Sequence, residues 1–201
     1  MKFNAPYLIL IGGEKDPTYA KTGYGLVQWG RELVAGQLRF PDCELDLGVP
    51  DLSVTEAANQ GVGSLVIGTA TIGGIIPDDW WTVIIEAVDH GLDIINGLHT
   101  KLKDNPKIID RAKSSGSRLL DIRVPPSNIL VGSGKKRSGQ RLLTVATDCA
   151  CGKKYTALSM NDTMRRAGIK STFRATGQTG IMISGEGIPI AVSYTHLTLP
   201  T

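Results

Sequence analysis

Strand-length apolar runs that alternate with segments of helical period constrain this chain more than any other feature. Residues 7–11 are an unbroken apolar run, and residues 64–68, 92–95 and 118–123 are further strand-length segments rich in apolar residues. Between them, residues 23–33, 77–89 and 105–113 carry apolar side chains at helical spacing, with Pro77 opening the second of these. Unbroken runs suit strands covered on both faces, and a helix between successive strands is the crossover that parallel pairing requires. The spacing therefore predicts an α/β fold with a parallel sheet. Ligands of such sheets collect beyond the carboxyl ends of the strands. That places the segments of interest at Gly12-Gly13, residues 68–74, Gly97-Leu98-His99 and residues 121–123.

Composition removes several function classes. An apolar fraction of 41% is ample for a core, so most of the chain is expected to be ordered. A net charge of +3, with acidic residues spread throughout, is not the one-sided basic footprint of a nucleic-acid binder. Cys43, Cys149 and Cys151 are an odd set with two members almost adjacent, which points to a reducing compartment rather than a disulfide framework. The first residues read as a strand rather than a leader, and no run approaches the roughly 20 apolar residues of a membrane span. The expectation is a cytoplasmic protein with a small-molecule substrate, no nucleic-acid or membrane partner, and a homo-oligomer left open.

Beyond Val124 the composition changes to paired prolines, then glycines and the cations Lys135, Lys136, Arg137 and Arg141. Such sequence marks a boundary. The expected organisation is a Rossmann-like domain over residues 1–126, a linker over 127–140, and the start of a second α/β domain over 141–191. Residues 192–201, VSYTHLTLPT, fit no ending of an α/β domain and resemble a translated sequencing adapter. They are read as a non-native tail, in which Tyr194 and His196 carry no role, on a chain whose natural form continues beyond Ala191.

The second domain opens with RLLTVATDCACGKKYTAL, read as a strand over 142–146, a tight loop and a helix from Lys153. Consecutive amides in such a turn and at the helix start form an anion-binding concavity, to which Lys153 adds a full charge. The candidate phosphate loop comprises Thr147, Asp148, Cys149, Ala150, Cys151, Gly152, Lys153, Lys154 and Tyr155. It departs twice from the G-x-x-x-x-G-K-[ST] pattern: Thr147 stands at the first glycine, and Lys154 stands where a hydroxyl follows the lysine. Its T-D-x-x-x-G-K shape resembles the variant loop of dethiobiotin synthetases. In nucleotide hydrolases that hydroxyl ligates Mg²⁺, a role a lysine cannot fill. The loop is thus better suited to anchoring a phosphate than to cleaving one, and coenzyme A offers such an anchor in its 3′-phosphate and pyrophosphate.

Three groups of segments carry a wider resemblance: PYLILIGG with VAGQLR and DLGVPDLS; GLDIINGLHTKL with LLDIRVPP; and GSGKKRSGQRLLTVATDCACGKKYTAL with FRATGQTGIMI. Together they are similar to the D-glutamate N-acetyltransferase (DgcN) family over nearly the whole chain to about Ile190. The resemblance implies a Rossmann-like N-terminal domain, a P-loop C-terminal domain, and acetyl transfer from acetyl-CoA to the amine of D-glutamate or a similar D-amino acid. Family members carry glycine at the position of Ala146, and their P-loop domain continues with further strands past the segment matching Gly185-Glu186-Gly187. A short copy is therefore expected to be inactive.

Amide formation from a thioester needs a deprotonated amine, an oxyanion site and a grip on the substrate's carboxylates. His99, in a turn after a strand, is read as general base or as a hydrogen-bonding loop residue. Asp148 either orients the amine or caps the helix. Arg123 either holds a carboxylate through its planar fork or pairs with Asp121. Arg174, Thr176 and Gln178 are read as substrate contacts at the end of a second strand of the P-loop sheet. Cys149 and Cys151 are either acyl carriers or small filler. The cations at 135–141 either reach a cofactor phosphate or stay solvated. Met160, Met164, Trp80 and Trp81 are read as packing residues. No metal site is expected in the acetyl-transfer reading. Its rivals are an ATP-dependent ligase or kinase using ATP with magnesium, and a non-catalytic fragment that binds phosphate ligands.

Overall fold

The computed structural model describes residues 3–124, 134–135, 138–147 and 151–190. Five strands, β1 (Tyr7–Gly12), β2 (Val34–Arg39), β3 (Ser64–Ile67), β4 (Asp93–Asn96) and β5 (Leu119–Asp121), form one sheet in the order β2-β1-β3-β4-β5. Every pairing is parallel. Four helices connect them: α1 (Lys21–Trp29), α2 (Val54–Asn59), α3 (Trp80–Asp89) and α4 (Pro106–Ser115). Past the boundary come α5 (Lys153–Arg166) and α6 (Gln178–Ser184).

Strand alternation sorts the core into two layers. Leu8, Leu10, Leu65, Ile67 and Ile94 face one way and pack with Val54 and Ala57 of α2, Ile84, Ala87 and Val88 of α3, and Ile108 and Ala112 of α4. Tyr7, Ile9, Ile11, Val66 and Ile95 face the other way and pack with Leu26 of α1, Leu158 of α5, and Ile181, Met182 and Ile183 of α6. The segment after the boundary therefore covers one face of the sheet built by the segment before it. All of β1 is buried, which is why it reads as an unbroken apolar run.

Local chemistry sets the helix starts. Ser53 and Glu56 cap α2 reciprocally, with Glu56 N–H donating to Ser53 Oγ at 3.2 Å and Ser53 N–H to the Glu56 carboxylate at 2.8 Å. Pro106 begins α4, and the Asn105 side chain accepts from Lys107 N–H at 3.1 Å. Asp93, 5% exposed at the start of β4, accepts from the backbone of Arg118 at 2.7 Å and from its guanidinium at 2.6 Å, tying β4 to β5.

Two elements escape the sequence pattern and two expected ones change. Strand β2 hides because its sequence VAGQLR places Gln37 inside the sheet. That side chain is fully buried and holds the loop beside β2, donating to Val49 O at 3.0 Å and accepting from Leu47 N–H at 2.8 Å. Helix α2 is too short for a clear period. Residues 142–146, expected as a strand, are not one: Leu142, Leu143 and Val145 are 60%, 82% and 78% exposed. An apolar run becomes a strand only when a neighbour supplies its ladder, and no strand pairs with this one among the described residues. The expected second strand around Arg174 reduces to one bridge between Ala175 and Gly187, and Gly177-Gln178-Thr179-Gly180 caps and begins α6 instead. Among the described residues, no helix is long and apolar enough to cross a membrane.

Candidate functional site

The strand order reverses between β1 and β3, because the chain leaves β1 for β2 on one side and returns to β3 on the other. In doubly wound sheets this reversal opens a crevice at the carboxyl ends of the two strands. Here α1 begins at that crevice, and Gly23 N–H donates to Gly68 O, the residue after β3, at 2.8 Å. The loops after β1, β3 and β4 all end at this edge.

Helices α5 and α6 bring their starts to the same place. The Tyr155 hydroxyl donates to Lys21 O at 3.3 Å, and its ring stacks on Trp29 with centroids 6.4 Å apart. Gly25 makes room for it, since a Cβ there would lie 3.0 Å from the hydroxyl oxygen. From α6, the Thr179 hydroxyl bonds to that of Thr22 at 2.9 Å, joining residues 157 apart. Gln178 packs on Gly97, where a Cβ would meet its Cγ at 3.0 Å. The resulting neighbourhood contains Lys21, Thr22, Gly97, Lys154, Tyr155, Gln178 and Thr179.

Gly152 precedes α5 at φ +84, a conformation that costs a residue with a Cβ, and among the described residues nothing lies within 4 Å of where a Cβ would point. The first amides of a helix have no intrahelical acceptor and point along its dipole at whatever lies before it. Lys153 opens the helix as expected, and Thr144 Oγ1 donates to its carbonyl at 3.0 Å. Lys154 is half-buried with its ammonium 4.3 Å from the Tyr155 ring centroid. Burial, and then the charge of Lys21, hold its pKa down to about 8. The unsatisfied amides at the start of α5, together with the lysines that open it, fit an anionic ligand group.

The depressed lysine has a measurable consequence. Below about pH 8 it is charged in both the folded and the unfolded chain, so the burial cost is fully present; between about 8 and its ordinary value of 10.5 the unfolded chain binds more protons, and stability rises with pH. Lys21 supplies the neighbouring charge, and the Tyr155 phenol beside the ammonium is itself pushed up by burial. Lys154→Met is expected to be more stable than wild type at pH 7 by roughly 1–2 kcal/mol, discounted for partial exposure, and the gap is expected to close by pH 10. Urea denaturation of both proteins at the two pH values reads this directly.

The remaining sequence-derived candidates separate. His99 is exposed on the loop after β4; its N–H donates to Gly74 O at 2.8 Å, and its ring lies so close to Gly74 that a side chain at 74 would collide with it. That loop is set by Asn96, fully buried at the end of β4, whose amide donates to Thr100 O and to Asp121 Oδ1, both at 2.7 Å, and accepts from Leu98 N–H at 2.9 Å. Asp121 is thereby engaged by Asn96 and by Leu102 N–H at 3.0 Å rather than by Arg123. Arg123 itself is half-buried after β5 and forms no ion pair among the described residues. Arg174 is exposed and pairs with Glu186, away from this edge, and Thr176 is exposed. Thr147 and Cys151 are exposed at the phosphate loop. Asp148, Cys149 and Ala150, with Lys136 and Arg137, lie outside the described residues. A cleft of about 750 Å³ lies at the opposite ends of α1 and α5, lined by Trp29, Arg165 and Arg166. Lys21 and Thr22 went unread, because nothing local in sequence distinguishes them from surface residues, whereas Thr179 falls in the stretch 176–180 that the sequence marks for ligand contact.

Fold and site together define a doubly wound α/β protein that brings a P-loop-type helix start to its switch point. Residues 39–125 match the model of the DUF1611 N-terminal domain, described as a Rossmann-like domain of unknown function, and residues 129–195 match that of the DUF1611 C-terminal P-loop domain. The chain belongs to the DUF1611 family. It is 43% identical to a D-glutamate N-acetyltransferase of Tritonibacter scottomollicae, over 92% of this chain and 56% of that protein. It is 40% identical to one of a Pseudoalteromonas species, over 94% of this chain and 57% of that protein. The crystal structure of a DUF1611 family protein from Anabaena variabilis superposes with a TM-score of 0.77 at 34% identity, over 92% of this chain and 57% of that one. The chain thus spans a little over half the length of the curated relatives it matches.

Proposed function

We propose that the protein serves acetyl transfer from acetyl-CoA to the amine of D-glutamate or a similar D-amino acid. The observation that carries the reading is the convergence of the Lys153-Lys154 helix start with the start of α1 at the β1/β3 edge; the two curated relatives supply the reaction. Acetyl-CoA supplies a thioester carbonyl open to attack by an amine. Gly152, Lys153 and the first amides of α5 hold a cofactor phosphate, with Thr147 and Cys151 exposed beside them. Gln178, beside Gly97, binds the amino acid near the foot of the His99 loop, and the imidazole of His99 takes the proton that the substrate ammonium must lose before it attacks. Arg123 and Arg174 stand apart from this neighbourhood and are left to contacts at the substrate's periphery.

Lysine at 154 favours this reading over an ATP-dependent ligase, which would want a Mg²⁺-binding hydroxyl there. Calorimetric titration separates the two. Coenzyme A is expected to bind, and Lys153→Ala to weaken it by about 10- to 100-fold, the worth of one charge-assisted phosphate contact. Tight binding of Mg-ATP without binding of coenzyme A would overturn the proposal.

A further inference from the structure

We propose that Gly74 is a positioning residue for His99: its bare Cα seats the imidazole, and its carbonyl carries the backbone from which the imidazole rises. The catalytic consequence rests on the acetyl-transfer reading; the seat does not.

The turn after β3 bears two adjacent glycines in the left-handed region, Gly73 at φ +72 and Gly74 at φ +66. They differ in what a side chain would meet. A Cβ on Gly73 would find only Ile75, at 3.5 Å, an ordinary contact. One on Gly74 would lie 2.3 Å from His99 Cδ2 and 3.0 Å from His99 Cγ. The backbone conformation by itself explains a glycine at both positions. It does not explain an imidazole resting on the second.

The same residue fixes the loop below the ring. Gly74 O accepts from His99 N–H at 2.8 Å and from Thr100 N–H at 3.0 Å, and Thr100 Oγ1 accepts from Ile76 N–H at 3.2 Å. Within the turn, Gly74 N–H donates to Thr71 O at 2.8 Å and Thr71 Oγ1 to Ile75 O at 2.5 Å. Ile72 and Ile75, on either side of the glycines, are 81% and 61% exposed, so packing does not hold this turn. Hydrogen bonds hold it, and they tie it to the His99 loop.

Among the described residues the imidazole has no hydrogen-bond partner. A ring oriented by a bond would give one of its two nitrogens to the protein. A ring seated on a glycine is oriented by contact alone, and both nitrogens stay open to substrate. A base held in place before the substrate arrives needs no ordering at the moment of reaction.

Thermal unfolding and imidazole NMR of the whole chain test the seat, in wild type, Gly73→Ala and Gly74→Ala, and with both glycine changes placed in a His99→Ala background. Each alanine bears the left-handed strain, so Gly73→Ala measures that strain alone. Gly74→Ala is expected to unfold roughly 3–10 °C lower than Gly73→Ala, the effect of overpacking a close contact. With alanine at 99 only a 3.1 Å approach to the backbone nitrogen of that residue remains, and most of the difference is expected to vanish. The His99 signal, assigned by its loss in His99→Ala, is expected to move in Gly74→Ala and to hold in Gly73→Ala. Equal unfolding temperatures for the two glycine variants, or an unmoved His99 signal in Gly74→Ala, overturns the proposal.

Titration with D-glutamate in the presence of coenzyme A then reads the functional step. It is expected to shift the His99 signal in wild type and in Gly73→Ala, and far less in Gly74→Ala. If the glycine variants behave as expected while D-glutamate leaves the wild-type signal unmoved, the seat stands and the role of His99 in the acetyl-transfer reading falls. If D-glutamate shifts the signal equally in all three proteins, that reading stands and Gly74 does not position the base.

Discussion

Gly12→Ala is expected to destabilise the protein by about 2–5 kcal/mol, lowering its midpoint of thermal unfolding by on the order of 10 °C. Gly12 closes β1 at φ +64, and an added Cβ would lie 2.6 Å from the indole nitrogen of Trp80. A left-handed conformation alone costs a non-glycine residue about 1–2 kcal/mol. The clash adds to this because Trp80 cannot yield: it is 4% exposed, packs edge-on against Phe40 with centroids 6.3 Å apart, and anchors α3 to the sheet. Urea denaturation of the variant measures the loss. A change below about 1 kcal/mol would mean that Trp80 does not close over the end of β1 as described. Ligand binding is expected to weaken too, since Gly12 is the last residue of a strand that borders the switch point.

Asn96→Leu is expected to cost about 3 kcal/mol and to release the His99 loop. The side chains are similar in volume, so packing changes little. What is lost is a fully buried set of bonds to Leu98, Thr100 and Asp121 at 2.9, 2.7 and 2.7 Å. Each buried group left unpaired costs about 1–3 kcal/mol, and the carboxylate of Asp121 is the worst placed to lose a donor. Urea denaturation gives the stability term. Imidazole NMR gives the positional one: the signal of His99 is expected to move, whereas His90, bonded to Glu86 O at 3.0 Å on the C-terminus of α3, is expected to stay. A variant that keeps both its stability and its His99 signal would show that Asn96 does not set this loop.

The two perturbations bear on the site from different sides. Gly12 controls how close α3 comes to the switch point, and Asn96 controls where the loop after β4 presents its imidazole. Lys154→Met is the opposite kind of change, expected to stabilise the chain while weakening what it holds. That pairing of gain and loss is a mark of residues kept for a ligand rather than for the fold.

How much of this was legible in sequence differs from element to element. β1 and β3 were readable because helices cover both of their faces, and double burial leaves three or more apolar residues in a row, while β4 was readable through Leu92, Ile94 and Ile95. β2 was not readable, because Gln37 spends its amide on the loop at 45–49 and breaks the pattern from within the sheet. Residues 142–146 misled in the opposite direction: apolar and β-branched, they satisfy strand propensity, but propensity counts only beside a neighbouring strand. The candidate site divides in the same way. Gly152 and Lys153 stand out because a glycine before a lysine at a helix start is a local pattern with a local cause, the anion affinity of unsatisfied amides. His99 could be located through its position after a strand.

The amino-acid sequence by itself determined the α/β class, the parallel connection and the position of a P-loop-type helix start, since all three follow from periods and turns that span only a few residues. Only the tertiary structure decided that α5 and α6 complete the covering of one sheet face, that Thr179 meets Thr22, and that the Tyr155 hydroxyl meets the carbonyl of Lys21. The last two contacts join residues 157 and 134 positions apart. Such pairs are selected by which apolar faces fit together when the chain collapses, and that fit is a property of the packed whole which no short window of sequence contains.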